Sequence, residues 1–150
     1  MKIRRAEIKD AETLSNIAYA AKSFWNYPES WLKVWKDALT ITPEFIEQNE
    51  VYLIESEGKV LGFYALILEG KKARLEHLWI SPENIGIGIG KTLMFDAIEK
   101  ARTLGATFIE IESEPNAVGF YQKQGAVKFG ESKSEIEGQA RILPIMRIDL

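Results

Sequence analysis

The sequence predicts an α/β (α+β) fold, a mixed and mostly antiparallel sheet flanked by helices, in a single domain over residues 1–150. Two observations support it. Three apolar, β-rich runs follow one another at residues 51–56, 60–68 and 73–80, separated only by short glycine-containing turns. Helical and strand-like patterns then alternate to the end of the chain, which is typical of helices packed on a sheet.

The first third of the chain predicts one strand and three helices. Residues 3–7 form a short strand, and Asp10 is an N-cap residue for the first helix. Its apolar stripe has spacings of three and four: Leu14, Ile17, Ala18 and Ala21. A second helix begins near Pro28 or Ser30 and places on one side Trp31, Val34, Trp35 and Leu39. Thr42 followed by Pro43 begins a third.

The second half predicts two helices and three strands. Ile89, Leu93, Ala97 and Ala101 form a helical stripe that ends near Gly105. A strand at "TFIEIES" precedes a short helix that closes at Gly125. The last strands are "AVKFGES" and "LPIMRIDL", joined by the polar segment "EIEGQA".

Composition excludes several classes of function. The net charge is −3, which argues against a nucleic-acid surface. With no cysteine and a single histidine, His77, we expect no disulfide, no thiolate nucleophile and no metal site. The N-terminus lacks the apolar core of a signal peptide, and no apolar run reaches membrane-spanning length. We therefore expect a cytoplasmic protein with no membrane partner.

Three glycines lie between the third run and the following helix, at Gly86, Gly88 and Gly90. A strand, closely spaced glycines and a helix N-terminus form an arrangement that binds phosphate through backbone N–H groups. The segment fails the nucleotide-binding P-loop pattern, because Ile85 stands at its first glycine, and the dinucleotide pattern, because Lys91 stands at its third. The alternation predicts that Ile87 and Ile89 point into the core.

The segment resembles instead the acyl-CoA loop of the GNAT N-acetyltransferase superfamily. Gly88 and Gly90 hold the two glycine positions of that loop, while Ile85 replaces its usual Arg or Gln. A second block, "EPNAVGFYQKQGAVKFGE", resembles the family's Asn/Ala turn and Phe-Tyr helix, in the branch with a Pro-Asn-Ala-x-x-Phe-Tyr pattern. Glu114 stands where the family commonly has Asn, and Asn116 follows two residues later.

The resemblance implies a fold whose fourth and fifth strands splay apart around the pantetheine arm of acetyl-CoA, a cosubstrate. The implied contacts include the strand backbone at Leu78, Trp79 and Ile80. Asn116 either caps the short helix or contacts the cosubstrate. The remaining contacts are expected from the loop and from the Phe-Tyr helix: Ile85, Gly86, Ile87, Gly88, Ile89, Gly90, Lys91, Phe120 and Tyr121.

Acetyl transfer to an amine needs a base, donors for the oxyanion and a proton for the leaving thiolate. The resemblance implies Tyr121 as the general acid. The same strand offers two candidate bases. Glu76 matches the family's glutamate and comes first, while His77 has the better intrinsic pKa. Strand alternation puts Glu76 on one face with Leu78 and Ile80, and His77 on the other with Leu75 and Trp79.

The aromatic stretch near residue 30 is the least family-like part of the chain and therefore the expected acceptor site. Trp25 and Tyr27 are the candidates for contacts with an amine, while Trp31 and Trp35 are expected in the core. The predicted function is direct acetyl transfer from acetyl-CoA to a primary amine of a small molecule or peptide, by a monomer or homodimer. The alternative is a non-catalytic acyl-CoA sensor or interaction module of the same fold.

Overall fold

One seven-stranded sheet carries helices on both faces, in a computed structural model that describes residues 1–150. The strand order is β1-β2-β3-β4-β5-β7-β6. The strands are β1 Lys2–Arg5, β2 Glu50–Ser56, β3 Lys59–Glu69, β4 Lys72–Ile80, β5 Phe108–Glu112, β6 Val127–Ile136 and β7 Gln139–Asp149. The helices are α1 Ala11–Ser23, α2 Glu29–Leu39, α3 Pro43–Gln48, α4 Ile89–Thr103 and α5 Val118–Lys123. The predicted fold class and element order are confirmed.

Two apolar cores lie on opposite faces of the sheet. One is built around α4, whose Leu93, Met94 and Ala97 are fully buried. The other packs α1 and α3 against the sheet around Phe63. None of the five α-helices has the length and apolar content that crossing a membrane requires.

The elements near the N-terminus differ from the prediction in three details. The Asp10 carboxylate does not cap α1; it accepts a hydrogen bond from the Glu7 N–H at 2.8 Å and pairs with Arg4 at 2.9 Å. Residues 8–10 consequently form a 3-10 turn, and β1 ends at Arg5. In α2, Val34 is exposed because the buried stripe is formed by Leu32 and Leu39.

The last hairpin is longer than the sequence predicted. The strands β6 and β7 continue through most of the polar segment and are joined by a two-residue turn at Glu137 and Gly138. Both turn residues have positive φ, 50° and 78°, as the tight type I′ turn requires. The polar segment "EIEGQA" therefore belongs to the tip of a solvent-exposed hairpin and is not a loop between the two strands.

The sheet divides between β4 and β5. The two strands pair in parallel only where residues 72–74 meet residues 108–110, and β5 continues alongside β7 instead. The β3–β4 ladder also has a bulge, since Ala65 pairs with His77 while the next residue, Leu66, pairs with Leu75. The extra residue is Glu76, so Leu75 packs in the same core as Leu78 and Ile80. The prediction that Leu75 shares a face with His77 was wrong.

Candidate functional site

A cleft of about 590 Å³ opens where β4 and β5 diverge. Leu75, Glu76 and residues 78–80 of β4 form one strand wall, and residues 111–114 at the end of β5 form the other. The start of α4 and the Phe120–Tyr121 pair of α5 close one end, while Lys22, Phe24 and Trp25 lie at another part of the wall. Beyond Arg74, β4 has no strand paired with it on its β5 side. A strand-like ligand can therefore bind along that backbone.

The glycine loop, residues 86–91, has backbone N–H groups without acceptors beside this cleft. Gly86 and Gly88 have φ of 91° and 86°, the left-handed region, and a Cβ at either would meet nothing within 4 Å. Their conformation, rather than crowding, therefore favours glycine. No backbone N–H of residues 86–91 donates a hydrogen bond within the chain. The buried Asn84 amide nitrogen also lacks an acceptor, and Lys91 is exposed beside the first turn of α4. The loop is suited to an anion.

The remaining residues of the loop differ from one another in burial and packing. Gly90 has ordinary helical geometry, and a Cβ there would lie 3.3 Å from the Phe120 ring, so it allows close packing of α4 on α5. Ile89 is buried as expected. Ile87 is 62% exposed, because the left-handed residues on either side of it turn its side chain outward. Ile85 is also exposed.

Tyr121 reaches the cleft from α5. Its side chain is packed edge-on against Phe120 and the residue is 7% exposed, yet its hydroxyl makes no hydrogen bond within the chain. Burial, and then the nearby Glu114 charge, raise the pKa of this phenol well above its usual range. Tyr121 is therefore protonated at neutral pH and free to donate to a ligand.

The two candidate bases lie in different environments. Glu76 lines the cleft, where its carboxylate pairs with Arg74 Nε at 2.9 Å. His77 is buried in the opposite core between Phe45 and Phe63, and its Nδ1 accepts a hydrogen bond from Trp79 Nε1 at 3.0 Å. Burial lowers the pKa of His77 to about 4. Only Glu76 is among the residues that line the cleft.

His77 should make the stability of the fold depend on pH. An unfolded histidine titrates near 6.5, so between pH 6.5 and 4 the unfolded chain binds more protons than the folded one. Acidification should therefore lower the unfolding free energy, by at most about 3 kcal/mol for this residue. Urea unfolding of the parent and His77→Gln at stepped pH isolates the contribution, since the carboxylates are common to both. Parallel stability curves would contradict the assignment.

Glu114 is the site residue that sequence reasoning missed. Its carboxylate accepts hydrogen bonds from Lys22 Nζ at 2.6 Å, from the Tyr27 hydroxyl, and from Asn116 Nδ2 at 2.8 Å. It also caps the 3-10 turn at residues 115–117, a role the sequence allowed for Asn116. Burial raises the pKa of Glu114, but the hydrogen bonds from Lys22 and Tyr27 outweigh it and leave the pKa lowered. Glutamate is not among the residues that favour an N-cap, and its partner Lys22 lies 92 residues away, so no local pattern pointed to this residue.

The aromatic residues near the cleft separate into two groups. Trp25 and Phe24 are exposed, pack edge-to-face at 5.2 Å and line the cleft. Tyr27 lies outside the cleft lining and joins half-buried Trp31 and Trp35 in an aromatic cluster, with ring centroids 5.8 and 5.0 Å from its own. The Lys22 ammonium is 4.3 Å from the Trp35 ring centroid. Trp25, but not Tyr27, is thus positioned to contact a ligand in the cleft.

No group of three or more His, Asp or Glu side chains is placed to hold a metal ion. The charged side chains of the cleft are instead Lys22, Glu76, Lys91, Glu112 and Glu114. Burial lowers the pKa of Lys22, and the hydrogen bond to Glu114 opposes that shift.

Known proteins share both the sequence pattern and the fold. The sequence model of the acetyltransferase (GNAT) domain matches residues 14–144. The uncharacterized N-acetyltransferase YvbK of Bacillus subtilis is 33% identical over 89 residues, 57% of each chain. The spermidine N(1)-acetyltransferase of Thermoplasma acidophilum is 28% identical over 140 residues, 83% of this chain and 87% of that protein. The chain spans 57% of the length of the first curated relatives that it matches.

Solved structures agree with the fold. The PaiA N-acetyltransferase of Thermoplasma acidophilum, in complex with coenzyme A, superposes with a TM-score of 0.79 at 23% identity, over 99% of this chain and 98% of that one. A GCN5-related N-acetyltransferase from Rhodopseudomonas palustris gives a TM-score of 0.82 at 20% identity, over 99% and 95%. With a family match that covers most of its length, the chain belongs to the GNAT acetyltransferase family.

Proposed function

We propose that the chain is an acetyl-CoA-dependent N-acetyltransferase that moves an acetyl group directly to a primary amine of a small molecule or peptide. One observation carries the proposal: a single cleft combines the free N–H groups of the glycine loop with the unpartnered Tyr121 hydroxyl. We place the chain in the branch with the Pro-Asn-Ala block, here at residues 115–117. The match to a spermidine acetyltransferase supports an amine acceptor.

The proposed binding mode of acetyl-CoA follows the free backbone groups. The pyrophosphate meets the N–H groups of residues 86–91, with Lys91 and Asn84 nearby. The pantetheine amides align with β4 at Leu78, Trp79 and Ile80, as an added strand. Phe120 and Asn116 complete the walls beside the thioester.

Tyr121 protonates the leaving thiolate in this proposal. The amine nitrogen bonds to the acetyl carbonyl carbon, the carbon–sulfur bond breaks, and the CoA sulfur receives the phenol proton. The nitrogen loses one proton as the neutral amide forms, and that proton returns the Tyr121 phenolate to the phenol, directly or through solvent. No covalent enzyme intermediate is needed, which agrees with the absence of cysteine.

Replacing Tyr121 with phenylalanine should lower kcat about a hundredfold, the low end of general-acid effects, because a thiolate needs modest help to leave. Affinity for CoA should change less than about twofold, since the ring is retained. Thiol release under saturating acetyl-CoA measures kcat, and calorimetric titration measures CoA binding. The role of Tyr121 is wrong if kcat is unchanged.

Glu76 is the proposed base, acting on the amine directly or through water. Glu76→Gln should lower kcat about a hundredfold and flatten the acid side of the pH–rate profile, because glutamine accepts no proton. His77→Gln should keep that limb, since His77 is outside the cleft lining. If only His77→Gln flattens the acid side of the pH–rate profile, and the variant remains folded, the base is His77 and not Glu76.

The acceptor is proposed to enter beside Phe24 and Trp25. These exposed rings offer an apolar surface, and the Glu76 and Glu112 carboxylates lie in the same cleft. The combination suits an amine with an apolar body.

A further inference from the structure

We propose that the amine acceptor carries an anionic group, a carboxylate or a phosphate, and that Arg141 of β7 binds it. This inference rests on the proposed N-acetyltransferase function.

Arg141 is held in place but keeps its donors free. Its guanidinium lies over the rings of Tyr27, Trp31 and Trp35, at 5.2, 5.8 and 4.9 Å from their centroids. One of its nitrogens donates to the Tyr27 hydroxyl at 3.1 Å. It forms no other hydrogen bond and no ion pair within the chain, and none of its nitrogens is an unpartnered atom buried from solvent. The remaining N–H groups are open to a ligand.

The charges around Arg141 leave one cation uncompensated. Lys22 and Glu114 neutralise each other at 2.6 Å, with side chains only 12% and 11% exposed. The Tyr27 hydroxyl hydrogen-bonds both Glu114 and Arg141, but no carboxylate reaches the guanidinium itself. The cluster of Lys22, Tyr27, Trp31, Trp35, Glu114 and Arg141 therefore has a net charge of +1.

The uncompensated guanidinium adjoins the cleft. Leu143 lies two residues along β7 on the same face, a separation of about 7 Å, and it lines the cleft. Glu114, one hydrogen bond from Tyr27, lines it as well. An extended acceptor with its amine near Tyr121 can thus direct its other end to Arg141.

The chemistry at this point favours an anion over a second amine. A planar guanidinium with free N–H groups binds carboxylate or phosphate through two parallel hydrogen bonds. The rings of Tyr27, Trp31 and Trp35, which surround the guanidinium, already face the Lys22 or Arg141 cation. A polyamine would bring a further cation against them.

Matched amine pairs test the inference. Lysine is compared with cadaverine, γ-aminobutyrate with butylamine, and phosphoethanolamine with ethanolamine, by thiol release with the parent, Arg141→Gln and Arg141→Lys. In the carboxylate pairs, in the phosphate pair or in both, we expect kcat/KM to be at least tenfold higher for the anionic member. The pairs that show this difference identify whether Arg141 binds a carboxylate, a phosphate or either. Arg141→Gln should raise KM for those members at least tenfold with kcat nearly constant, and leave their partners unchanged. Arg141→Lys should restore part of the loss.

Equal kcat/KM within every pair, or an Arg141→Gln loss shared by both members of a pair, would overturn the role of Arg141 and leave the proposed function standing. Thermal melting separates a general loss of folding from a loss of recognition. Turnover of no amine at all contradicts the proposed function, and the inference with it.

Discussion

Replacing Gly88 with aspartate is expected to weaken CoA binding by about a thousandfold. The loop presents six unpartnered N–H groups, those of residues 86–91, where the pyrophosphate is proposed to bind. A carboxylate about 4 Å from a phosphate charge, at an effective dielectric of about 20, is repelled by about 4 kcal/mol. That energy corresponds to roughly three orders of magnitude in Kd.

Gly88→Asn is the matched control. Gly88 has φ of 86°, and any side chain there is strained. Aspartate and asparagine are nearly isosteric and both tolerate this region better than other residues, so the backbone cost of about 1–2 kcal/mol is common to both. Calorimetric titration with CoA, beside thermal melts of each apo protein, separates charge from strain. Equal affinity of the two variants would show that no anion binds at this loop.

Replacing Glu114 with glutamine is expected to lower the unfolding free energy by about 3 kcal/mol at neutral pH. Removing one member of a buried ion pair leaves the other charge uncompensated. Glutamine can still accept from Tyr27 and Asn116, so the change isolates the charge opposite Lys22. In the variant, burial still lowers the pKa of Lys22. The hydrogen bond to the Glu114 carboxylate, which opposed that shift, is lost.

The pH dependence of this loss has a defined sign. In Glu114→Gln, the pKa of Lys22 is depressed further in the folded state, so the loss is full at neutral pH and declines as pH rises toward the unfolded lysine value near 10.5. The loss also declines at acidic pH, because protonation of Glu114 breaks the ion pair in the parent. The double variant Lys22→Gln with Glu114→Gln should recover part of the stability. Urea unfolding at stepped pH measures both effects. A constant loss across pH would show that Lys22 charge is not the cause.

Local sequence patterns were sufficient to predict the elements. Apolar alternation marked the central strands and helical spacing marked α1 and α4, because both patterns come from one face packing on one core. The direction of Ile87 could not be predicted, since it depends on the left-handed φ of Gly86 and Gly88 rather than on alternation. The bulge at Glu76 could not be predicted either, because an extra residue in one strand is defined only by how that strand pairs with its neighbour.

The cleft residues that belong to compact sequence motifs were predicted. Contacts between residues that are distant in the sequence were missed. Tyr121 and the glycine loop belong to compact blocks, and the structure places both in one cleft. Glu114 meets Lys22 across 92 residues, and Arg141 meets Tyr27 across 114. Such pairs join α1 and the segment after it to residues near β5 and in β7, and no local pattern encodes them.

We expect this cleft to transfer acetyl from acetyl-CoA to an amine. The direct measurement is thiol release from acetyl-CoA with a panel of amines, with mass spectrometry of the acceptor after the reaction. We expect saturable turnover with at least one amine, a product heavier by one acetyl group, and a large loss of rate in Tyr121→Phe. Tight CoA binding with no acetylated product from any amine would contradict it and favour an acyl-CoA sensor of the same fold.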